Sequence, residues 1–204
     1  MAFGISGIAA GSFLAMTPFV LMHFKSSLPY MATPRRKIVL ALKTLEQRVQ
    51  QQQNKRSIVG HEKPRLRLTD MGSGDGEAIL VAAQRGWIAT GVEMNPTLWA
   101  VSMLRILGLK SEERNRARFV RGDMFSQDIS SSDAIIIFGV KPLMPAIADK
   151  IRNEAKPGAF VISYRFLLPL GDQCGQIDAE IIKDQEDMRI YQLRKKQLSN
   201  STDS

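Results

Sequence analysis

Between Asp70 and Gly76 the chain reads Asp-Met-Gly-Ser-Gly-Asp-Gly. Glycines at alternate positions allow a tight turn, let the backbone approach a ligand, and open a following helix toward it. A strand-like run, Arg65 to Met71, leads into this loop, and a helical run, Glu77 to Arg85, leaves it. Glu93 ends the next strand-like run 21 residues after Gly72, where a carboxylate can accept hydrogen bonds from ribose hydroxyls. After a third such run comes Gly122-Asp123-Met124, whose acid is placed to accept a hydrogen bond from an adenine amine. Asp70, Glu93 and Asp123, closing three successive strands, predict one crevice for a nucleoside-bearing cofactor.

The loop does not carry the spacing of a dinucleotide site. Gly72, Gly74 and Gly76 alternate, and Glu77 occupies the sixth position, where a pyrophosphate wants no negative charge. Asp70 and Asp75 add further negative charge. A ligand carrying an ammonium and a sulfonium centre suits that setting better than one with two phosphates.

The elements that position these residues alternate along the chain. Strands are predicted at Arg65 to Met71, Ile88 to Met94, Ala117 to Arg121, Ala134 to Val140 and Ala159 to Phe166. Helices are predicted at Glu77 to Arg85, Pro96 to Gly108 and Pro142 to Asn153. Such alternation implies an α/β fold with a parallel sheet covered on both faces. Ile177 to Ile182 and Met188 to Leu193 offer two more strands, suited to an antiparallel hairpin at the sheet edge.

The net charge of +8 is unevenly placed. From Lys25 to Arg67 eleven basic residues face only Glu46 and Glu62, while the rest of the chain carries 17 basic and 18 acidic residues. Ahead of that basic stretch, Ala2 to Phe24 holds no charged side chain, and its 23 residues suffice for a bilayer core of roughly 30 Å. The positive flank on its far side is the pattern of a membrane anchor. Next, Ile38, Val39, Leu42, Leu45 and Val49 recur at helical spacing behind Thr33-Pro34, with Arg35, Arg36, Lys43 and Arg48 opposite. That helix is free to lie against the domain, against lipid headgroups, or both; Gln50 to Pro64 reads as a frayed end and linker. One cysteine, Cys174, excludes an internal disulfide, and the separated His23 and His61 predict no metal site. Four segments result: an apolar anchor at 1–24, a basic pre-domain helix and linker at 25–64, the domain at 65–194, and a polar tail at 195–204.

The motifs together resemble class I methyltransferases, and more narrowly the mitochondrial protein-lysine methyltransferases that modify the adenine nucleotide translocase and the ATP synthase c subunit. The likeness runs from about Leu28 to Tyr191. It rests on Leu28-Pro29-Tyr30, the loop from Asp70 to Gly76, Val92-Glu93-Met94-Asn95-Pro96, Ile137-Phe138-Gly139-Val140, and Arg165-Phe166 with Pro169. It implies a Rossmann-like seven-stranded sheet with helices on both faces, preceded by an N-terminal membrane helix. It also implies S-adenosylmethionine as cofactor, with Asp70, Gly72, Ser73, Gly74 and Gly76 on the methionine moiety, Glu93 on the ribose and Asp123 on the adenine. Phe138, Gly139 and Val140, ending the fourth strand, would then meet the acceptor. The implied partners are a membrane and an integral membrane protein with an exposed lysine at the mitochondrial inner membrane, without metal. Two other readings remain at this point. The domain could serve as a non-catalytic membrane-bound assembly factor, or act on RNA or a small molecule, the basic stretch being the only feature that favours nucleic acid.

Overall fold

The computed structural model describes residues 33–55, 65–138, 141–171, 177–185 and 187–194. Residues 1–32 with the predicted anchor and Leu28-Pro29-Tyr30, 56–64 of the predicted linker, Gly139 and Val140, 172–176 with Cys174, residue 186, and the tail at 195–204 therefore lie outside the described residues. Helix α1 spans Arg35–Lys55, and strand β1, Arg67–Met71, leads to α2, Glu77–Gln84. Strand β2, Ile88–Glu93, precedes α3, Pro96–Arg105, whose continuation is a 3-10 turn at Ile106–Gly108. A one-turn helix α4, Ser111–Arg114, leads to β3, Ala117–Arg121. Then come β4, Ala134–Ile137; α5, Met144–Glu154; and β5, Phe160–Tyr164. Strands β6, Ala179–Gln185, and β7, Met188–Leu193, complete the set.

The seven strands form one sheet in the order β3-β2-β1-β4-β5-β7-β6. Strands β1 to β5 pair in parallel, whereas β7 runs antiparallel to both β5 and β6. The expected edge hairpin is present, with its second strand inside and its first outside. Burial explains the order: β7 hides Ile190 and Tyr191 completely, while Glu180, Ile181, Asp184 and Gln185 of β6 stay exposed. The chain builds outward from β1 through β2 to β3, then returns to set β4 beside β1. Ligands of open α/β sheets bind at such a reversal, outside the carboxyl ends of the strands.

Alternation along each strand divides the core between two faces. Leu68, Ala134, Ile136, Phe160, Ile162 and Ile190 share one face with α1, α2 and Trp99 of α3. Met71, Ile135, Ile137, Val161 and Tyr191 pack on the other against α5, through Met144, Ile147, Ala148 and Ile151. Helix α3 opens on Asn95, whose side-chain oxygen accepts from the Thr97 and Leu98 N–H groups, with Pro96 next.

Helix α1 belongs to this packing. Ile38, Ala41, Leu42 and Leu45 are buried in the same core as α2 and the sheet. Its cations bind the domain too: Arg35 pairs with Glu77, Lys37 with Asp187 and Arg48 with Glu180. The choice between domain and headgroups is thus settled toward the domain for these three, and the helix continues to Lys55, into the first part of the stretch predicted to fray. Among the described residues no helix is long and apolar enough to cross a membrane.

Candidate active site

Asp70 lies in β1, only 1% exposed, and its Oδ1 finds no hydrogen-bond partner among the described residues. Burial foremost, then the charges of Glu93 and Asp75, push its carboxyl well above the usual carboxylate range. The loop that follows folds onto β2: the Gly72 and Ser73 N–H groups both donate to the Val92 carbonyl, at 3.0 and 2.9 Å. Gly72 has φ +106, and nothing lies within 4 Å of where its Cβ would stand, so the backbone there is open to a ligand. The Ser73 hydroxyl is buried and also lacks a partner. Gly76 plays a different part. At φ +83 it starts α2 beneath the Phe119 ring, which a Cβ would meet at 2.5 Å, so its role is packing.

Glu93 ties two turns together. Its Oε2 accepts the Gly74 N–H at 2.8 Å and its Oε1 the Asn95 N–H at 2.7 Å. Each oxygen keeps a second acceptor position. The Gly122 N–H donates to the Glu93 carbonyl at 3.1 Å, which brings the end of β3 alongside. Asp123, exposed, accepts the Phe125 N–H at 3.0 Å and keeps acceptor capacity. The three acids thus sit at the ends of three adjacent strands, as their spacing predicted.

The negative charge read at Asp75 and Glu77 is corrected by the fold. Neither carboxylate is free to meet a ligand, because Arg105 of α3 pairs with both. Arg35 of α1 reaches the other oxygen of Glu77 at 2.6 Å. Burial opposes ionisation of Glu77, yet these two guanidinium hydrogen bonds hold its carboxyl below the ordinary value. The partners are 28 and 42 residues away from Glu77, so no local pattern announces them. The preference for a cation therefore rests on Asp70 and Glu93.

Register aligns a transverse row at the carboxyl edge. Met71 pairs with Ile137, and Ile137 with Ser163, so the next residues, Gly72, Phe138 and Tyr164, follow one another across the sheet. Tyr164 pairs in turn with Met188. Half-buried Phe138 meets Tyr164 edge to face, with ring centres 5.5 Å apart. Lys141, next among the described residues, is exposed to solvent. No sequence motif marks Tyr164; the one signal for it is its place at the end of a strand parallel to β4.

The residues suit an S-adenosylmethionine-shaped cofactor. An ammonium brought against Asp70 would meet an unpartnered carboxylate oxygen, Gly72 leaves room for it, and Glu93 keeps acceptors for two hydroxyls. Fold and site together define an S-adenosylmethionine-dependent methyltransferase of the Rossmann-like class. The fold itself matches the crystal structure of an RNA methyltransferase from Salinibacter ruber in complex with S-adenosyl-L-homocysteine. That match has a TM-score of 0.61 over 83% of this chain and 98% of that one, at 19% identity. The sequence pattern of the ANTKMT methyltransferase domain matches residues 70–172, and the chain belongs to that family. It is 30% identical over 172 residues to the lysine N-methyltransferase of the ATP synthase c subunit from Rattus norvegicus, covering 82% of this chain and 71% of that protein. Over 104 residues it is 31% identical to the adenine nucleotide translocase lysine N-methyltransferase of Mus musculus, covering 50% of this chain and 44% of that one.

Proposed function

We propose that this chain methylates lysine on an integral protein of the mitochondrial inner membrane, such as the ATP synthase c subunit or the adenine nucleotide translocase. The observation that carries the reading is the likeness to the rat enzyme across 82% of the chain. In it, Asp70 with Gly72, Ser73 and Gly74 receives the methionine moiety, Glu93 the ribose and Asp123 the adenine, while Gly76 sets the start of α2 against Phe119. Phe138, Gly139 and Val140 receive the acceptor. Residues 1–24 anchor the enzyme, helix α1 within 25–64 packs on the domain at 65–194, and 195–204 form a polar tail. A tethered domain raises the effective concentration of lysines at the membrane surface over those of soluble competitors.

The cofactor supplies a methyl group on a positively charged sulfur. The chain's own residues supply orientation and a dry path. Asp70 at the end of β1 and Glu93 at the end of β2 fix one end of the crevice, and the Phe138 ring walls the end where an amine arrives. The amine first loses a proton to water, which burial beside apolar rings favours by lowering its pKa. Its lone pair then forms the new nitrogen–carbon bond as the carbon–sulfur bond breaks toward sulfur. The product keeps its positive charge.

An RNA substrate is less favoured, because Arg35, Lys37 and Arg48 of the basic stretch are engaged with the domain's own acids. The deciding experiment supplies labelled S-adenosylmethionine and the full chain to inner-membrane extracts, followed by mass spectrometry of the labelled species. Methyl-lysine on an integral protein is expected; label confined to RNA or small metabolites refutes the substrate assignment.

A further inference from the structure

Beyond Phe138 the carboxyl edge carries a cluster that cofactor binding leaves unused. Tyr164 follows Phe138 in the transverse row. The Lys37 ammonium, from the first turn of α1, stands 5.1 Å from the centre of the Tyr164 ring. It donates to Asp187 Oδ2 at 3.0 Å. Asp187 lies in the turn between β6 and β7, and its carbonyl accepts the Arg165 N–H at 2.5 Å. Arg165 has φ +67, the one positive φ at a non-glycine position among the described residues. A left-handed conformation at such a residue is uncommon and clusters at functional sites. Here it turns the chain after β5 so that Asp187 is held beside the aromatic pair. The hydrogen bond and charge of Lys37 keep the Asp187 carboxyl below its usual range, and Asp187 in turn raises Lys37.

An ammonium between an aromatic ring and a carboxylate is how a protein recognises a lysine side chain. Here the lysine is the chain's own, and the Arg165 guanidinium, 5.8 Å from the centre of the same ring, is a second cation that stays in place when Lys37 leaves. Neighbouring strands lie about 4.8 Å apart, so Tyr164 stands about 10 Å from Gly72 across the sheet. Alternation puts Tyr164 on the face of Phe138, Ile136 and Leu68, and hence of Asp70. A cleft of about 340 Å³, lined by Arg36, Lys37, Leu40, Gln185 and Met188, shares Lys37 with the cluster. The side chains of Lys37 and Asp187 are 19% and 49% exposed, so their pair is weak enough to exchange with an incoming ammonium.

We propose that the Tyr164 ring and the Asp187 carboxylate form the receiving site for the acceptor's ammonium, and that Lys37 is its built-in occupant, displaced when a substrate lysine arrives. Held first as an ammonium, the arriving group then moves past Phe138 and away from the Asp187 carboxylate, where loss of water and of that counter-charge favours release of its proton to solvent. The identity of the acceptor rests on the lysine-methyltransferase reading, whereas the site is argued from the chain's own lysine.

The test uses the full chain with S-adenosylmethionine bound, and n-butylammonium as a probe of the lysine head, followed by ligand-observed NMR. Lys37→Met should bind the probe about two- to fivefold more tightly than the unaltered protein, the gain expected from removing one weak competing pair. Adding Asp187→Asn should cancel that gain, and Lys37→Arg, which restores a cation, should return the unaltered affinity. Equal probe binding with and without Lys37→Met, or a gain that survives Asp187→Asn, overturns the proposal. Calorimetry of S-adenosylmethionine binding, unchanged in every variant, shows that the fold is retained. With the detergent-solubilised c-ring protein as acceptor, Lys37→Met should lower KM by a similar factor with little change in kcat, and an unchanged or raised KM counts against the site. If the unaltered enzyme transfers no methyl to lysine of the c-ring protein, the substrate reading fails while the probe experiment still decides the receiving site.

Discussion

Replacing Asp70 with asparagine should stabilise the cofactor-free protein while crippling cofactor binding. Asp70 is 1% exposed, its Oδ1 is unpartnered, and its carboxyl is raised by burial and by two neighbouring acids. An acid whose native value is raised binds its proton more tightly folded than unfolded. Its contribution to stability is therefore fully present below the unfolded value of about 3.9 and is lost as pH rises toward the native value. Each pH unit within that window costs about 1.4 kcal/mol, or about 3–6 °C of melting temperature for a chain of this size. Asparagine, nearly isosteric and never charged, removes that cost. Melting curves from pH 4.5 to 8 should show the unaltered protein losing ground to Asp70→Asn as pH increases. Calorimetry should show S-adenosylmethionine binding weakened about 10- to 150-fold, the loss of a charge-assisted hydrogen bond worth roughly 1.5–3 kcal/mol. Binding by the unaltered protein should strengthen with pH across the same window, since the cofactor's ammonium needs the carboxylate. An Asp70→Asn protein that melts lower than its parent at pH 7.5 and binds the cofactor as tightly would refute the reasoning on both counts.

Removing the Glu93 carboxylate in Glu93→Ala frees the Gly74 and Asn95 N–H groups along with the ribose acceptors, so S-adenosylmethionine affinity should fall by about 10- to 150-fold. Unchanged calorimetric binding would remove Glu93 from the site. Gly76→Ala forces a side chain into φ +83 and against the Phe119 ring, and should cost about 2–4 kcal/mol in guanidinium unfolding at unchanged slope. A loss below 0.5 kcal/mol, roughly the scatter among surface substitutions, would show that the ring yields freely. For the proposed anchor, a chain beginning near Lys25 should leave the membrane pellet in high salt, whereas the full chain should require detergent. Release of the full chain by salt alone would end the spanning interpretation.

The strands were legible because each is a short run closed by a glycine, a polar turn or a cap and spaced from the next by a helical stretch or a turn; Ala134–Ile137 is wholly buried and hydrophobic. The acids at strand ends were legible by spacing alone. What local pattern could not show was pairing between distant residues. Asp75 and Glu77 look like ligand-facing charges until Arg105 and Arg35 are brought to them by the packing of α3 and α1. Gly72 and Gly76 look alike in the sequence, yet one faces open space and the other an aromatic ring, a difference set by Phe119, 43 positions after Gly76. Lys37 and Asp187 are 150 residues apart, and only the antiparallel return of β7 places them together.

The way α1 is fastened has a mechanical consequence. Its first turn is held by two solvent-accessible ion pairs, Arg35 to Glu77 and Lys37 to Asp187, each worth roughly 0–1 kcal/mol. Behind them, Ile38, Leu42 and Leu45 are buried, each side chain worth about 1.5–3 kcal/mol. Tension applied through the backbone ahead of Arg35 would therefore peel that first turn from the cofactor loop and the β6–β7 turn long before it unseated the helix. The helix is thus weakly held at its entry and firmly held along its buried face.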